Sequence, residues 1–218
     1  VSAIGEERLL CTLPTFELKE KAAYVCITEA NLYDWSGMGL RSEGEGVLKA
    51  EYWDTNGTTF TTEEDSPWRV AIIADNLNDF VNSDMVTNVS DPMEGALFAD
   101  DTSWIQPGRS VWTTQGGGAS TVEGYKEYSD YASQLGIEFN LIEARNGFGD
   151  TLDEQFAAIK EIADYSAGLE NPVKIWLWED APTSRYTGGL YTEENARDFL
   201  SRCRKAGVVG VKIDHIHS

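Results

Sequence analysis

The sequence predicts an α+β multidomain chain of two unlike halves: an antiparallel β region up to about Asp79, then a truncated (β/α)8 TIM barrel from about Trp104. Three observations predict this. The first half carries short alternating apolar runs between clusters of Gly, Asn, Asp and Pro, the pattern of half-buried strands joined by turns. The second half alternates strand-length apolar runs with helix-length periodic segments, the pattern of a parallel sheet with right-handed crossovers. The last such run, Val208 to Asp214, has no helix-length segment after it.

In the first half the alternating runs are Tyr24-Val25-Cys26-Ile27-Thr28, Leu48-Lys49-Ala50-Glu51-Tyr52-Trp53 and Trp68-Arg69-Val70-Ala71-Ile72-Ile73. Asn76 to Asp101 is polar and rich in Asn and Asp, which reads as a connecting segment over the surface. Ser110-Val111-Trp112 then precedes a helix around Val122 to Leu135, Glu138 to Glu143 precedes one around Leu152 to Tyr165, and Val173 to Trp178 precedes one around Thr192 to Lys205. The organisation expected is β domain 1–79, linker 80–103 and barrel strands one to four in 104–218. A closed eight-stranded barrel takes roughly 250 residues, so the second half has room for about half of one. A flavodoxin-like open sheet fits the same order but would normally close with a covering helix. The start, Val1 to Glu7, has neither an initiator Met nor a signal-peptide pattern, so the sequence is expected to begin inside a longer protein.

Composition narrows the function. Thirty-seven acidic against 17 basic residues give a net charge of −20, which repels phosphate backbones and anionic lipid surfaces and argues against nucleic-acid binding. No apolar run approaches a membrane span. Cys11, Cys26 and Cys203 lack the paired spacing of a zinc or redox motif and read as buried thiols.

The chemistry is expected at the strand ends. In Gly210-Val211-Lys212-Ile213-Asp214, positions two apart face one side of a strand, so Lys212 and Asp214 share a site. Asp214 can serve as nucleophile or metal ligand, and Lys212 beside it would lower its pKa and bind a substrate oxygen. The plainer alternative has Asp214 capping the next turn. Trp112, Glu143, Trp178 with Glu179 and Asp180, and Asp214 all end strands, and barrel active sites lie at the C-terminal ends of strands. Aromatic faces stack on sugar rings while carboxylates bond hydroxyls or exchange protons, so this set suits a carbohydrate. Trp176, one strand period earlier, reads as packing, and Gln115-Gly116-Gly117-Gly118 as a flexible loop without the spacing of a nucleotide motif. The glycosylation-type triplets at Asn56 and Asn88 carry no weight. His215 and His217 alternate as paired metal ligands can, and with Asp214 they offer an alternative reading as a metal-dependent hydrolase.

Several blocks occur in order: Ile27-Thr28-Glu29-Ala30-Asn31-Leu32-Tyr33-Asp34 with Gly37-Met38, Trp68 to Ile73, and Trp104-Ile105-Gln106-Pro107-Gly108-Arg109 with Trp112. Lys126-Glu127-Tyr128 with Tyr131-Ala132, Val173 to Trp178, and Val211-Lys212-Ile213-Asp214 follow. Together they resemble glycoside hydrolase family 97 over nearly the whole chain. The resemblance implies an N-terminal β-sandwich on a (β/α)8 barrel, a calcium ion in the active site, and either inverting α-glucosidase or retaining α-galactosidase chemistry. Retaining members carry an aspartate nucleophile at the tip of strand four, which Asp214 matches. The acid/base group would come from a later strand.

The resemblance also makes Glu29 a calcium-ligating glutamate, against an alternative as a surface strand residue. It implies an oligosaccharide as the partner and a periplasmic or secreted setting. Two departures are visible: Thr113-Thr114-Gln115 stands where the family continues with aromatics, and Glu143-Ala144-Arg145-Asn146 replaces an acidic-Gly-Trp pattern. The sugar-binding wall is therefore expected to differ. The leading expectation is a retaining α-glycosidase, α-galactoside first and α-glucoside next, with Asp214 as nucleophile, Lys212, Trp112, Glu143 and Trp178 binding substrate, and this stretch alone inactive. A non-catalytic carbohydrate-binding protein is the further alternative.

Overall fold

The structure is a computed structural model. It describes residues 9–10, 14–18, 20–21, 23–33, 35–44, 46–52, 59, 63, 65–98, 101–145 and 147–216. The chain separates into two compact units, Val1–Thr102 and Ser103–Ser218.

In the first unit the described strands form two three-stranded antiparallel sheets. One has the order β1 (Leu9–Leu10), β4 (Met38–Gly44), β5 (Val47–Tyr52), and the other β2 (Thr15–Leu18), β3 (Ala23–Ala30), β6 (Trp68–Ala74). β3 pairs with β6 along its length, from Tyr24 opposite Ala74 to Ala30 opposite Trp68. Cys26, Ala30, Val70 and Ile72 make the buried face of that pair.

The segment read as a surface connector contains short helices that the sequence pattern did not predict. It folds into α1 (Leu77–Val81), α2 (Met85–Asn88) and α3 (Gly95–Phe98). Phe80, Val86 and Val89 pack against the β3–β6 core. The physical reason is that the sheet has an apolar face to cover, and these three apolar residues cover part of it. Asn31 and Asp91 fasten the segment further: the Asn31 amide donates to Asp91 (3.0 Å) and the Asp91 N–H to Asn31 Oδ1 (2.9 Å).

The second unit is one parallel sheet in the order β10 (Val208–Asp214), β9 (Lys174–Asp180), β8 (Phe139–Ile142), β7 (Ser110–Trp112). Its helices are α4 (Thr113–Gly116), α5 (Val122–Leu135), α6 (Leu152–Ala167) and α7 (Glu193–Lys205). Each long helix starts where a threonine hydroxyl accepts a backbone N–H: Thr121 from Gly124, Thr151 from Glu154, Thr192 from Asn195. At Thr151 the Glu154 side chain reciprocates, completing a capping box. α5 ends on Gly136 at φ 64°, a left-handed turn that costs glycine nothing. α7 carries Glu193 and Glu194 in its first turn and Arg202, Arg204 and Lys205 in its last, which complements its dipole.

The helices bury one face of the sheet. Ile142, Ile175 and Leu177 meet Tyr125, Phe156, Ile159, Ile162, Phe199 and Cys203 in one core, where each fully buried aliphatic is worth about 1.5–3 kcal/mol. Burial pushes the Cys203 thiol up to about 12, which makes it an inert core residue; Cys11 lies outside the described residues.

On the opposite face Trp176 packs edge-on against Phe139 at 5.7 Å. Its ring also lies against Gly210, its register partner on β10, where a Cβ would collide with it. Trp176 is therefore packing, as its position suggested. The glycine-rich stretch after β7 forms a helical turn rather than a loose loop. Gly117 closes α4 at φ 73°, and the Tyr128 ring rests where side chains on Gly116 and Gly118 would stand.

Candidate active site

All four strands of the second unit end at the same edge, and there the structure links the residues named from sequence into one chain of contacts. The Trp112 indole N–H donates to Glu143 Oε2 (2.5 Å). The Lys212 ammonium stands 4.6 Å from the centre of the same indole, a cation–π contact, and 3.5 Å from Asp214 Oδ2. The Trp178 indole donates to that oxygen at 3.2 Å. Trp178 pairs in register with Lys212 and Asp180 with Asp214, so the indole reaches Asp214 along a diagonal of the strand pair.

Asp214 Oδ1 accepts the His215 backbone N–H at 3.0 Å. The expected turn-capping bond therefore exists beside the side-chain contacts. His215 has a left-handed backbone, φ 50°, and its ring Nδ1 lies 2.9 Å from Asp180 Oδ1. The Trp178 indole N–H first, then the His215 backbone N–H, and to a smaller degree the Lys212 charge, hold the Asp214 carboxyl below the ordinary aspartate range. The sequence pointed to Lys212 as the cause; the tryptophan outweighs it. The side chain of Asp214 remains about two-fifths exposed, open to a reacting partner.

Behind the rim lies a cluster that sequence reading did not assemble. Glu179 is completely buried on the helix-facing side of β9. Arg145 Nη2 donates to its Oε2 (2.7 Å) and Arg185 Nη1 to its Oε1 (3.2 Å), while Oε1 also accepts the Asp180 backbone N–H at 3.0 Å. Burial and the neighbouring Arg145 lower the Arg185 pKa. Tyr125, also fully buried, donates its hydroxyl to the Ala144 carbonyl (2.8 Å) and accepts the Glu143 N–H (3.1 Å), which pins the end of β8. The available sequence signal was a carboxylate at the third position of the buried alternation Ile175, Leu177, Glu179.

Glu29 belongs to the first unit. It is buried within β3, which removes the alternative of a surface strand residue. Its carboxylate accepts the Met38 N–H (2.6 Å) on one oxygen and an Arg69 guanidinium N–H on the other. A carboxylate offers about four lone-pair positions, so each oxygen keeps one. Glu29 thus fits as a single donor to a hard cation. Among the described residues no cluster of three or more His, Cys, Asp or Glu side chains could hold an ion, and calcium takes six to eight oxygens. His217 lies outside the described residues.

Residues 1–92 match the glycosyl-hydrolase 97 N-terminal domain. The chain is 27% identical over 225 residues to a probable retaining α-galactosidase of Streptomyces bingchenggensis, covering 95% of this chain and 33% of that protein. It is 26% identical over 254 residues to the retaining α-galactosidase of Bacteroides thetaiotaomicron, covering 98% and 35%. Among solved structures, a glycoside hydrolase family 97 enzyme from Pseudoalteromonas sp. strain K8 in complex with acarbose superposes with a TM-score of 0.68 at 21% identity, over 95% of this chain and 34% of that one. The chain spans about a third of the length of these curated relatives. The N-terminal match and two relatives aligned along nearly its whole length make the chain similar to glycoside hydrolase family 97 proteins.

Proposed function

We propose that this chain is part of a longer glycosidase that hydrolyses terminal α-glycosidic bonds with retention, α-galactosides first and α-glucosides next, with Asp214 as nucleophile. The observation that carries the reading is the setting of Asp214. It is a half-open carboxylate at a strand tip, held in its charged form by two N–H donors and a lysine, and bordered by two tryptophans. The relatives named as retaining α-galactosidases support the choice of reaction. In finer terms, the first unit is part of a β-sandwich and the second is the first half of a (β/α)8 barrel.

In this mechanism an Asp214 oxygen attacks the anomeric carbon as the glycosidic bond breaks, and a second carboxyl group about 5 Å away gives its proton to the departing oxygen. Water, deprotonated by that same group, then cleaves the glycosyl ester. The second group is proposed to come from a later strand, so residues 1–218 alone would not turn over. Trp112 and Trp178 offer ring faces to the sugar, while Glu143 and Lys212 offer an acceptor and a donor for its hydroxyls. Calcium is proposed as the cofactor with Glu29 as one ligand, through the lone pair left on each of its oxygens. A periplasmic or secreted location belongs to the same proposal and rests on the family resemblance.

The test is hydrolysis of nitrophenyl α-galactoside and α-glucoside by the full-length protein and its Asp214→Ala variant. Turnover lost in the variant is expected. Turnover that survives makes Asp214 a binding residue, and its absence from the unaltered protein leaves the carbohydrate-binding reading.

A further inference from the structure

We propose that Glu179, clamped between Arg145 and Arg185, is a positioning residue for the candidate nucleophile, acting through its neighbours Trp178 and Asp180; this rests on the glycosidase reading above. β9 sends Ile175, Leu177 and Glu179 to the helix-covered face, and the first two join the apolar core. A third aliphatic would continue that core. A carboxylate and a guanidinium are buried there instead, with side-chain exposures of 0% and 1%. Arg145 Nε and Nη1 are buried without a hydrogen-bond partner among the described residues. Replacing such buried pairs by apolar residues is often neutral or stabilising, so stability is a poor explanation for this one.

Geometry supplies a better one. Glu179 ties three segments together: Arg145 follows β8, Glu179 is the penultimate residue of β9, and Arg185 lies in the connection to α7. Its Oε1 also takes the Asp180 N–H and so fixes the final peptide of β9. The residues on either side of it reach Asp214 from two directions. Trp178 donates to Oδ2, while Asp180 contacts the His215 ring, whose backbone N–H donates to Oδ1. A shift of the β9 tip would displace both donors at once, and misplacement on the order of 1 Å at a reacting group costs up to about 100-fold in rate.

The decisive experiment pairs turnover with stability in the full-length protein. Glu179→Leu alone leaves the Arg145 charge buried and unpaired, and should lower the thermal midpoint by about 10 °C. Adding Arg145→Met should restore the midpoint to near that of the unaltered protein. The double variant should nevertheless lose kcat about 10- to 100-fold, with KM changed much less. A double variant with both midpoint and kcat preserved overturns the proposal and leaves the cluster structural. If the double variant does not fold, Arg185→Gln decides, because Arg185 is partly exposed: kcat falling at an unchanged midpoint supports the proposal, and unchanged kcat overturns it. If the unaltered protein shows no glycosidase turnover, the reaction assignment falls by itself. A crystal structure of the double variant then decides positioning, by whether the bond from Trp178 to Asp214 is broken or kept.

Discussion

Two carboxylates singled out from the sequence, Glu29 and Asp214, are held in opposite ways. Glu29 sits inside an antiparallel sheet, nearly sealed from solvent, with both oxygens engaged by partners fixed within its own unit. Asp214 sits at the end of a parallel strand, with one N–H donor on each oxygen and much of the group open. The first arrangement suits a group that must stay still, as a structural anion or one donor to a cation. The second suits a group that must reach a substrate while remaining charged. Both stand near the end of a strand, Glu29 penultimate in β3 and Asp214 last in β10, so the difference lies in what covers them: Met38 and Arg69 close over Glu29, whereas Asp214 keeps an open side.

The largest effect that would sharpen this contrast is on turnover. Asp214→Ala should reduce kcat of the full-length protein on the order of 10⁴-fold, as loss of a covalent nucleophile does, with the thermal midpoint almost unmoved. For Glu29 the balance reverses. Arg69→Met leaves a buried carboxylate short of its cationic partner and should cost about 1–3 kcal/mol in denaturant unfolding, whereas Glu29→Gln, which keeps the shape, should weaken calcium binding measured by calorimetry. If Glu29→Gln left calcium affinity unchanged, the cofactor assignment would lose the one ligand proposed for it.

Smaller effects lie in pH dependence. The folded-state pKa of Asp214 is depressed, so its charged form dominates above that value and is lost as pH falls through it. The acid limb of kcat/KM reports this titration in the free protein. Trp178→Phe removes the largest of the groups that lower the pKa, so the limb should move to higher pH. Lys212→Met should move it in the same direction by less. A larger displacement in the lysine variant would contradict the assignment of the indole as the main stabiliser.

The second unit was legible because its signals are periodic. The helix expected over 122–135 is α5, residue for residue, and the others lie within two residues of their expected ends. The Lys212–Asp214 pair stood out because charge broke an apolar run. The first unit was harder to read: β1, β2 and β4 are short or rich in glycine and polar residues, and α1 to α3 are too short to show a helical period. At the candidate site, identities and strand ends were readable, but partner choice was not. Nothing local says that Arg145 and Arg185 converge on Glu179, or that the Trp178 indole outweighs Lys212 at Asp214, because those contacts depend on how separate strands and loops meet.

The most direct test of the central claim is the anomeric form of the first sugar released, followed by proton NMR during hydrolysis of nitrophenyl α-galactoside by the full-length protein. The account predicts the α-anomer first, from two successive displacements at the anomeric carbon through an Asp214 ester. Release of the β-anomer would mean single displacement by water, and Asp214 would not be the nucleophile.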